Sequence, residues 1–155
     1  MTDPPTWLVR ATTVALRSRG FVRAPIGLYR RGLGWLLGRR ILMLEHRGRR
    51  SGLVRRVVLE VIGHPLPGRY VVVAGFGERA DWLRNVRAHP EVRVSVGRLR
   101  SAPATARELP RQDTTEVLES YQRAHPLAWA VLSRTIEQSL GTDLESLPVV
   151  ALDLS

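Results

Sequence analysis

Two periodicities divide the chain. Apolar residues recur every three or four positions near both ends, which is the helical pattern, whereas the middle alternates or runs in short apolar bursts bounded by Gly and Pro, which is the strand pattern. Asp3 and Pro4 supply a helix start, Trp7, Leu8, Ala11, Val14 and Ala15 an apolar face, and Gly20 a stop. Pro25 restarts a helix along Ile26, Tyr29, Leu33, Leu36 and Leu37. Gly27, Gly32, Gly34 and Gly38 weaken it, so it needs a surface to pack against. Strands are expected at Ile41–His46, Val54–Ile62 and Arg69–Ala74, with a turn at 64–68 between the last two. Asp81–His89 reads as a short helix ended by Pro90, with Trp82 and Asn85 on one face and Leu83 and Val86 elsewhere. Val92, Val94 and Val96 alternate in a further strand. Gly97-Arg98 turns the chain, and Leu99–Leu109 returns as an edge strand because Pro103 interrupts it. Asp113 and Glu116 resemble a capping box for a helix lined by Val117, Leu118, Tyr121 and Ala124. Pro126 breaks it; Trp129, Leu132, Ile136 and Leu140 line another as far as Gly141, and Leu147–Leu152 adds a short strand.

The strand connections are too short for helical crossovers, so neighbouring strands run antiparallel and the fold class is α+β with a mainly β core. The order excludes one tempting motif. Gly75-Phe76-Gly77-Glu78-Arg79-Ala80 imitates a dinucleotide-binding G-x-G-x-x-A, but the strands before it are hairpin-linked, whereas that fingerprint opens a parallel βαβ unit. At 155 residues, with no internal repeat or linker, the chain reads as one domain (1–155), with a helical segment at 1–38 and the β core with its C-terminal helices at 39–155.

Composition narrows the chemistry. There is no cysteine, which removes disulfides and thiolate sites, and His46, His64, His89 and His125 lack metal-ligand spacing, so no metal is expected. No apolar run is long enough to span a bilayer and the start lacks a signal-peptide layout, which makes a cytoplasmic protein the default expectation. Every one of the 24 basic residues is arginine, and the net charge is +10. Residues 1–60 carry 13 arginines against Asp3, Glu45 and Glu60, whereas residues 61–155 carry 11 arginines and 11 acids. The positive field therefore sits in the N-terminal part, and it suits a polyanion: a phosphorylated cofactor, a nucleic acid or an anionic membrane.

The densest basic stretch is Leu44–Arg56, where Arg47, Arg49, Arg50, Arg55 and Arg56 meet Gly48, Ser51 and Gly52 in a tight connection. Glycines let successive N–H groups converge on an anion, and guanidinium groups grip phosphate in two-pronged fashion. A solvated hairpin loop is the alternative. Trp82 likewise reads either as core or as a wall for a flat ligand, and the glycine-rich bend at 75–77 as a place where such a ligand approaches the backbone. Residues 1–38 pack on the core or lie against an anionic membrane at its inner face, with Arg10, Arg17, Arg30 and Arg31 beside Trp7, Tyr29 and Trp35. A nucleic-acid binder accounts for the charge but leaves the 75–77 bend and the Trp82 helix unused, and the strands lack interleaved aromatics. No Ser-His-Asp set, paired carboxylates or nucleophilic cysteine points to covalent hydrolysis.

Residues Leu44–Arg56, Tyr70–Gly77 and the W-x-x-N-x-x-x-x-P helix at Asp81–Pro90 together resemble the deazaflavin-dependent nitroreductase family, and the likeness in layout extends over about residues 28–152. The resemblance implies a split β-barrel of antiparallel strands with helices at its side, and coenzyme F420 in preference to FMN. It implies that Arg49, Arg50, Ser51 and Arg55, in a turn with Gly52 and Arg56, hold the cofactor phosphate and acidic tail. Ala74, Gly75 and Gly77 then form the backbone wall beside the deazaflavin ring, Trp82 and Asn85 close over it, and Tyr121 is the candidate proton donor. The implied activity is hydride transfer to an electron-poor small molecule (a quinone, enone or nitro compound) by a monomer or homodimer; the alternative is a non-catalytic barrel that carries a cofactor or apolar ligand.

Overall fold

The computed structural model describes residues 26–141 and 146–155. Six strands, β1 (Ile41–Arg47), β2 (Val54–Leu66), β3 (Arg69–Val73), β4 (Glu91–Val96), β5 (Leu99–Glu108) and β6 (Val149–Leu154), close into a barrel in the order β1-β2-β3-β6-β5-β4. Every neighbouring pair is antiparallel, as the short connections require. Helix α1 (Asp81–Ala88) follows β3, and α2 (Arg111–Ala124) and α3 (Pro126–Leu140) stand between β5 and β6.

Period-two alternation explains two cores. Leu42, Leu44, Val72, Val94, Val150 and Leu152 point into the barrel, where Trp82, Leu83 and Val86 of α1 join them. The residues of opposite parity, Val71, Val73 and Val149, pack outside the barrel against Leu118 and Tyr121 of α2 and Ile136 of α3. Strand β3 is apolar at successive positions because both of its faces are buried.

Several sequence expectations change. Strand β5 is not an edge, since it pairs with β4 on one side and β6 on the other. Pro103 is tolerated because its carbonyl accepts from the Ser155 N–H, so its missing N–H faces the same side, beyond the last β5–β6 pair at Ala104 and Leu154. Strand β2 runs on to Leu66 through an irregular register, the turn shrinks to Pro67-Gly68, and the His64 Nδ1–H donates to the Arg69 carbonyl at 2.7 Å. The expected helix from Pro25 is interrupted: residues 26–30 are helical, Gly32 adopts φ +75°, and Gly34–Leu37 is a single 3-10 turn. Of its expected apolar face only Tyr29 is buried; Leu33 and Leu36, with neighbouring Trp35, are exposed. Tyr29 donates to the Ile41 carbonyl at 2.7 Å, and its ring lies where a Cβ on Gly34 would stand, 2.2 Å from the nearest ring carbon.

Helix α2 begins at Arg111 after Pro110, with no side-chain cap, so Asp113 and Glu116 are not a capping box. Thr114 rather than Ala124 completes its buried side. All of Trp82, Leu83, Asn85 and Val86 are buried, so α1 has no free face on that side of the chain. Leu147 is buried ahead of β6, which starts at Val149. The helix expected over residues 3–20, Pro25 itself and the side chain of Leu140 lie outside what the structure describes.

Candidate functional site

Strand parity brings two basic side chains to one mouth of the barrel. His46 continues the inward row of Leu42 and Leu44, and its cross-strand partner Arg55 continues that of Val57, Leu59 and Val61. Between them, the connection 48–53 folds on itself: the Gly48 N–H donates to the Leu53 carbonyl and the Gly52 N–H to the Gly48 carbonyl, each at 2.8 Å. Gly52 adopts φ +69°, a conformation that favours glycine, and a Cβ on Gly48 would come within 2.6 Å of the Ser51 hydroxyl oxygen. That oxygen accepts from the Leu53 N–H at 3.2 Å, which leaves the Ser51 O–H free to donate outward.

The loop and α1 bound a cleft of about 550 Å³. Arg49, Arg50, Ser51, Arg55 and Arg56 line one wall and Phe76, Ala80, Asp81, Trp82 and Asn85 the other, with His46, Gly48 and Val57 between them. The arginines divide into two kinds. Arg49 is held in place: its backbone N–H and its Nη1 both donate to Asn85 Oδ1, at 3.1 and 2.9 Å, and its guanidinium lies 3.3 Å from Asp81. Arg56 pairs with Glu45 at 3.3 Å, and Glu45 also accepts from the Ser101 hydroxyl at 2.7 Å. Arg50 and Arg55 have no ion-pair partner among the described residues, so their charge is available to an anion.

Asn85 is 4% exposed and its Nδ2 donates to His46 Nδ1 at 3.1 Å. Burial, and then the nearby charge of Arg55, push the His46 imidazole down to about 4 against an opposing pull from Asp81, so it is neutral at physiological pH. Trp82, at 7% exposure, is at once a member of the barrel core and part of the cleft wall. The cleft therefore combines free guanidinium groups and a hydroxyl with aromatic and aliphatic side chains (Trp82, Phe76 and Val57). That combination suits a flat ring bearing an anionic tail.

Not every expected site residue arrives there. Arg49, Arg50, Ser51, Arg55, Arg56, Trp82 and Asn85 line the cleft. Gly52 shapes the loop without lining it. Ala74, Gly75 and Gly77 do not form its wall; the Gly77 N–H donates to the Ala74 carbonyl at 2.8 Å in a tight turn, and Phe76, carried on that turn, is what reaches the cleft. Tyr121 belongs to the outer core, where its hydroxyl donates to Glu60 at 2.6 Å and burial pushes its ionisation well above the usual range for tyrosine. It does not line this cleft. Sequence reasoning passed over His46, Phe76 and Asp81. The signal for His46 was present in its inward parity with Leu42 and Leu44.

Residues 22–153 match the family model described as F420H(2)-dependent quinone reductase. Among solved structures, an F420-H2 dependent reductase is 26% identical, with 75% of this chain and 96% of that one covered at a TM-score of 0.54. A structure described as a domain-swapped dimer is 27% identical, with 97% of this chain and 100% of that one covered at a TM-score of 0.58. A haem storage protein from Vibrio cholerae, at 12% identity, 78% and 85% coverage and a TM-score of 0.54, shares the fold alone. No curated protein sequence matches the chain significantly.

Proposed function

The chain belongs to the F420H(2)-dependent quinone reductase family, and on that premise we propose that the cleft between the 48–53 loop and α1 binds coenzyme F420 and transfers a hydride from its reduced form to a quinone-type acceptor. The observation that carries the reading is the pairing, in one cleft, of two arginines without ion-pair partners among the described residues, Arg50 and Arg55, with the side chains of Trp82, Phe76 and Val57.

The residues fit the cofactor. Arg50, Arg55 and the Ser51 hydroxyl would hold its phosphate and acidic tail, and Trp82, Phe76 and Val57 its ring. When bound, the reduced deazaflavin supplies a two-electron hydride. The chain contributes position: α1 fixes Trp82 through its buried neighbours Leu83 and Val86, and the Asn85–Arg49 bonds fix the loop against the helix. Reduction of a quinone to a hydroquinone also consumes a proton, and oxidation of the cofactor releases one. The protonated cleft groups are arginines, Ser51, the Trp82 indole, Asn85 and neutral His46, none of them a ready proton donor, so both protons would be exchanged with solvent. A fluorescence titration tests the binding half: coenzyme F420 should bind more tightly than FMN in the same buffer, and the reverse order would reject the assignment.

Two further features of the reading have narrower support. A homodimer is in keeping with the 27% identical domain-swapped dimer. Peripheral contact with an anionic membrane is supported by exposed Leu33, Trp35 and Leu36 next to Arg30, Arg31 and Arg39.

A further inference from the structure

A side-chain amide has two ends, and its neighbours decide which way it points. For Asn85 the decision is unambiguous on one side. The Arg49 backbone N–H and guanidinium are both obligate donors, so the end facing them must be the oxygen. The Asn85 NH2 then faces His46 Nδ1 at 3.1 Å, and that ring nitrogen must accept. The imidazole proton therefore resides on Nε2. Asn85 and His46 are both almost fully buried, so water does not readily replace either partner.

We infer that His46 is a positioning residue for the anion-binding loop: its Nδ1 lone pair locks the Asn85 amide, and the locked amide holds Arg49 and with it the 48–53 turn that carries Arg50 and Ser51. The inference rests on the F420 reading only for what the loop binds; the lock itself is a property of the protein alone. Removing the acceptor leaves the Asn85 NH2 unpaired in a buried place, and the amide then gains by rotating away, which releases both bonds to Arg49. Among the described residues His46 makes no hydrogen bond to Arg50, Arg55 or Ser51, and its cross-strand partner Arg55 senses it through charge alone, so its hold on the 48–53 turn passes through Asn85 and Arg49.

Three measurements test this. In the protein without added cofactor, 15N–1H correlation of the imidazoles near neutral pH should show the His46 proton on Nε2; a proton on Nδ1 would overturn the inference outright. Amide hydrogen exchange at Arg49 should accelerate at least tenfold in His46→Phe while Leu44 and Val94 in the barrel core keep wild-type protection, and His46→Gln, whose side-chain oxygen can accept in place of Nδ1, should restore much of the protection at Arg49. Unchanged Arg49 exchange in His46→Phe contradicts the lock. If His46→Phe does not fold, His46→Gln against His46→Leu gives the same comparison. Finally, in a coenzyme F420 titration His46→Phe should weaken binding about tenfold in the wild-type background and less than twofold in Arg49→Ala. Equal losses in both backgrounds would show that His46 does not act through Arg49. A wild-type protein that fails to bind coenzyme F420 would reject the cofactor assignment while the imidazole and exchange results still decide the lock.

Discussion

Arg49 and Asn85 are joined twice: the backbone N–H of Arg49 and its guanidinium both donate to one oxygen, Asn85 Oδ1, at 3.1 and 2.9 Å. An arginine in a Gly-rich loop reads from sequence as a free phosphate grip. Here it stitches the loop to a helix, and in the proposed reading Arg50 and Arg55 are the arginines left to meet an anion.

That division separates two substitutions. Arg49→Ala should lower stability by about 1 kcal/mol, the scale of one lost hydrogen bond with a weak exposed ion pair, and should weaken cofactor binding as well. Arg55→Ala should weaken binding by about 1–3 kcal/mol, as expected for a lost charge-assisted contact, with no change in Tm. Thermal melts beside fluorescence titrations distinguish them; a Tm loss confined to Arg55→Ala would reverse the assignment of roles.

His46 makes stability depend on acid. Its folded-state pKa, about 4, lies below the ordinary 6.5, so between those values the unfolded chain binds the extra proton. The contribution is complete above about pH 6.5, falls away as pH drops toward 4, and amounts to at most about 3 kcal/mol. Urea unfolding across that range should show wild type losing stability relative to His46→Gln as the pH falls. A difference that stays constant with pH would assign the titration elsewhere.

Tyr121→Phe should cost about 1–2 kcal/mol of stability by leaving Glu60 without its buried donor. Turnover should be unchanged because the hydroxyl lies in the outer core. A selective fall in turnover at wild-type stability would return Tyr121 to the reaction.

Anionic vesicles should bind the wild-type protein at low salt and release it as salt rises, since exposed charges are screened. Replacing exposed Trp35 and Leu36 together by Ser should weaken sedimentation with those vesicles several-fold while leaving the melt unchanged. Equal binding by wild type and variant would remove this surface from any membrane contact.

Much of the fold was legible because parity and turn residues act locally. Val92, Val94 and Val96 alternate as inward residues of β4, and the hairpins follow from connections too short to cross over. Closure of the barrel was not legible from spacing: Pro103 looks like an edge marker until Ser155 is seen opposite it. The helix expected beyond Pro25 is cut short because the apolar period runs through Gly32, whose positive φ ends the helix, and Gly34, whose missing side chain admits the Tyr29 ring. At the site, residue types on one loop and one helix were readable as a pair. Their hydrogen bonds were not: nothing local says that Arg49 meets Asn85, 36 positions away, or that Tyr121 meets Glu60 instead of the cleft. From the 74–77 turn it is the side chain of Phe76, rather than the glycines, that lines the cleft.

The most direct test of the central claim is anaerobic mixing of the protein with reduced coenzyme F420 and a soluble quinone, following the return of oxidised-cofactor absorbance. Wild type should oxidise the cofactor well above the protein-free rate. Trp82→Phe, chosen because truncating a residue so deep in the core to Ala would cost about 3–5 kcal/mol, should lower turnover more than affinity. Arg55→Ala should do the opposite and lower affinity more than turnover. A wild-type protein that binds coenzyme F420 tightly yet oxidises none of it above background with quinone, enone or nitroaromatic acceptors would contradict the enzyme and leave a cofactor carrier.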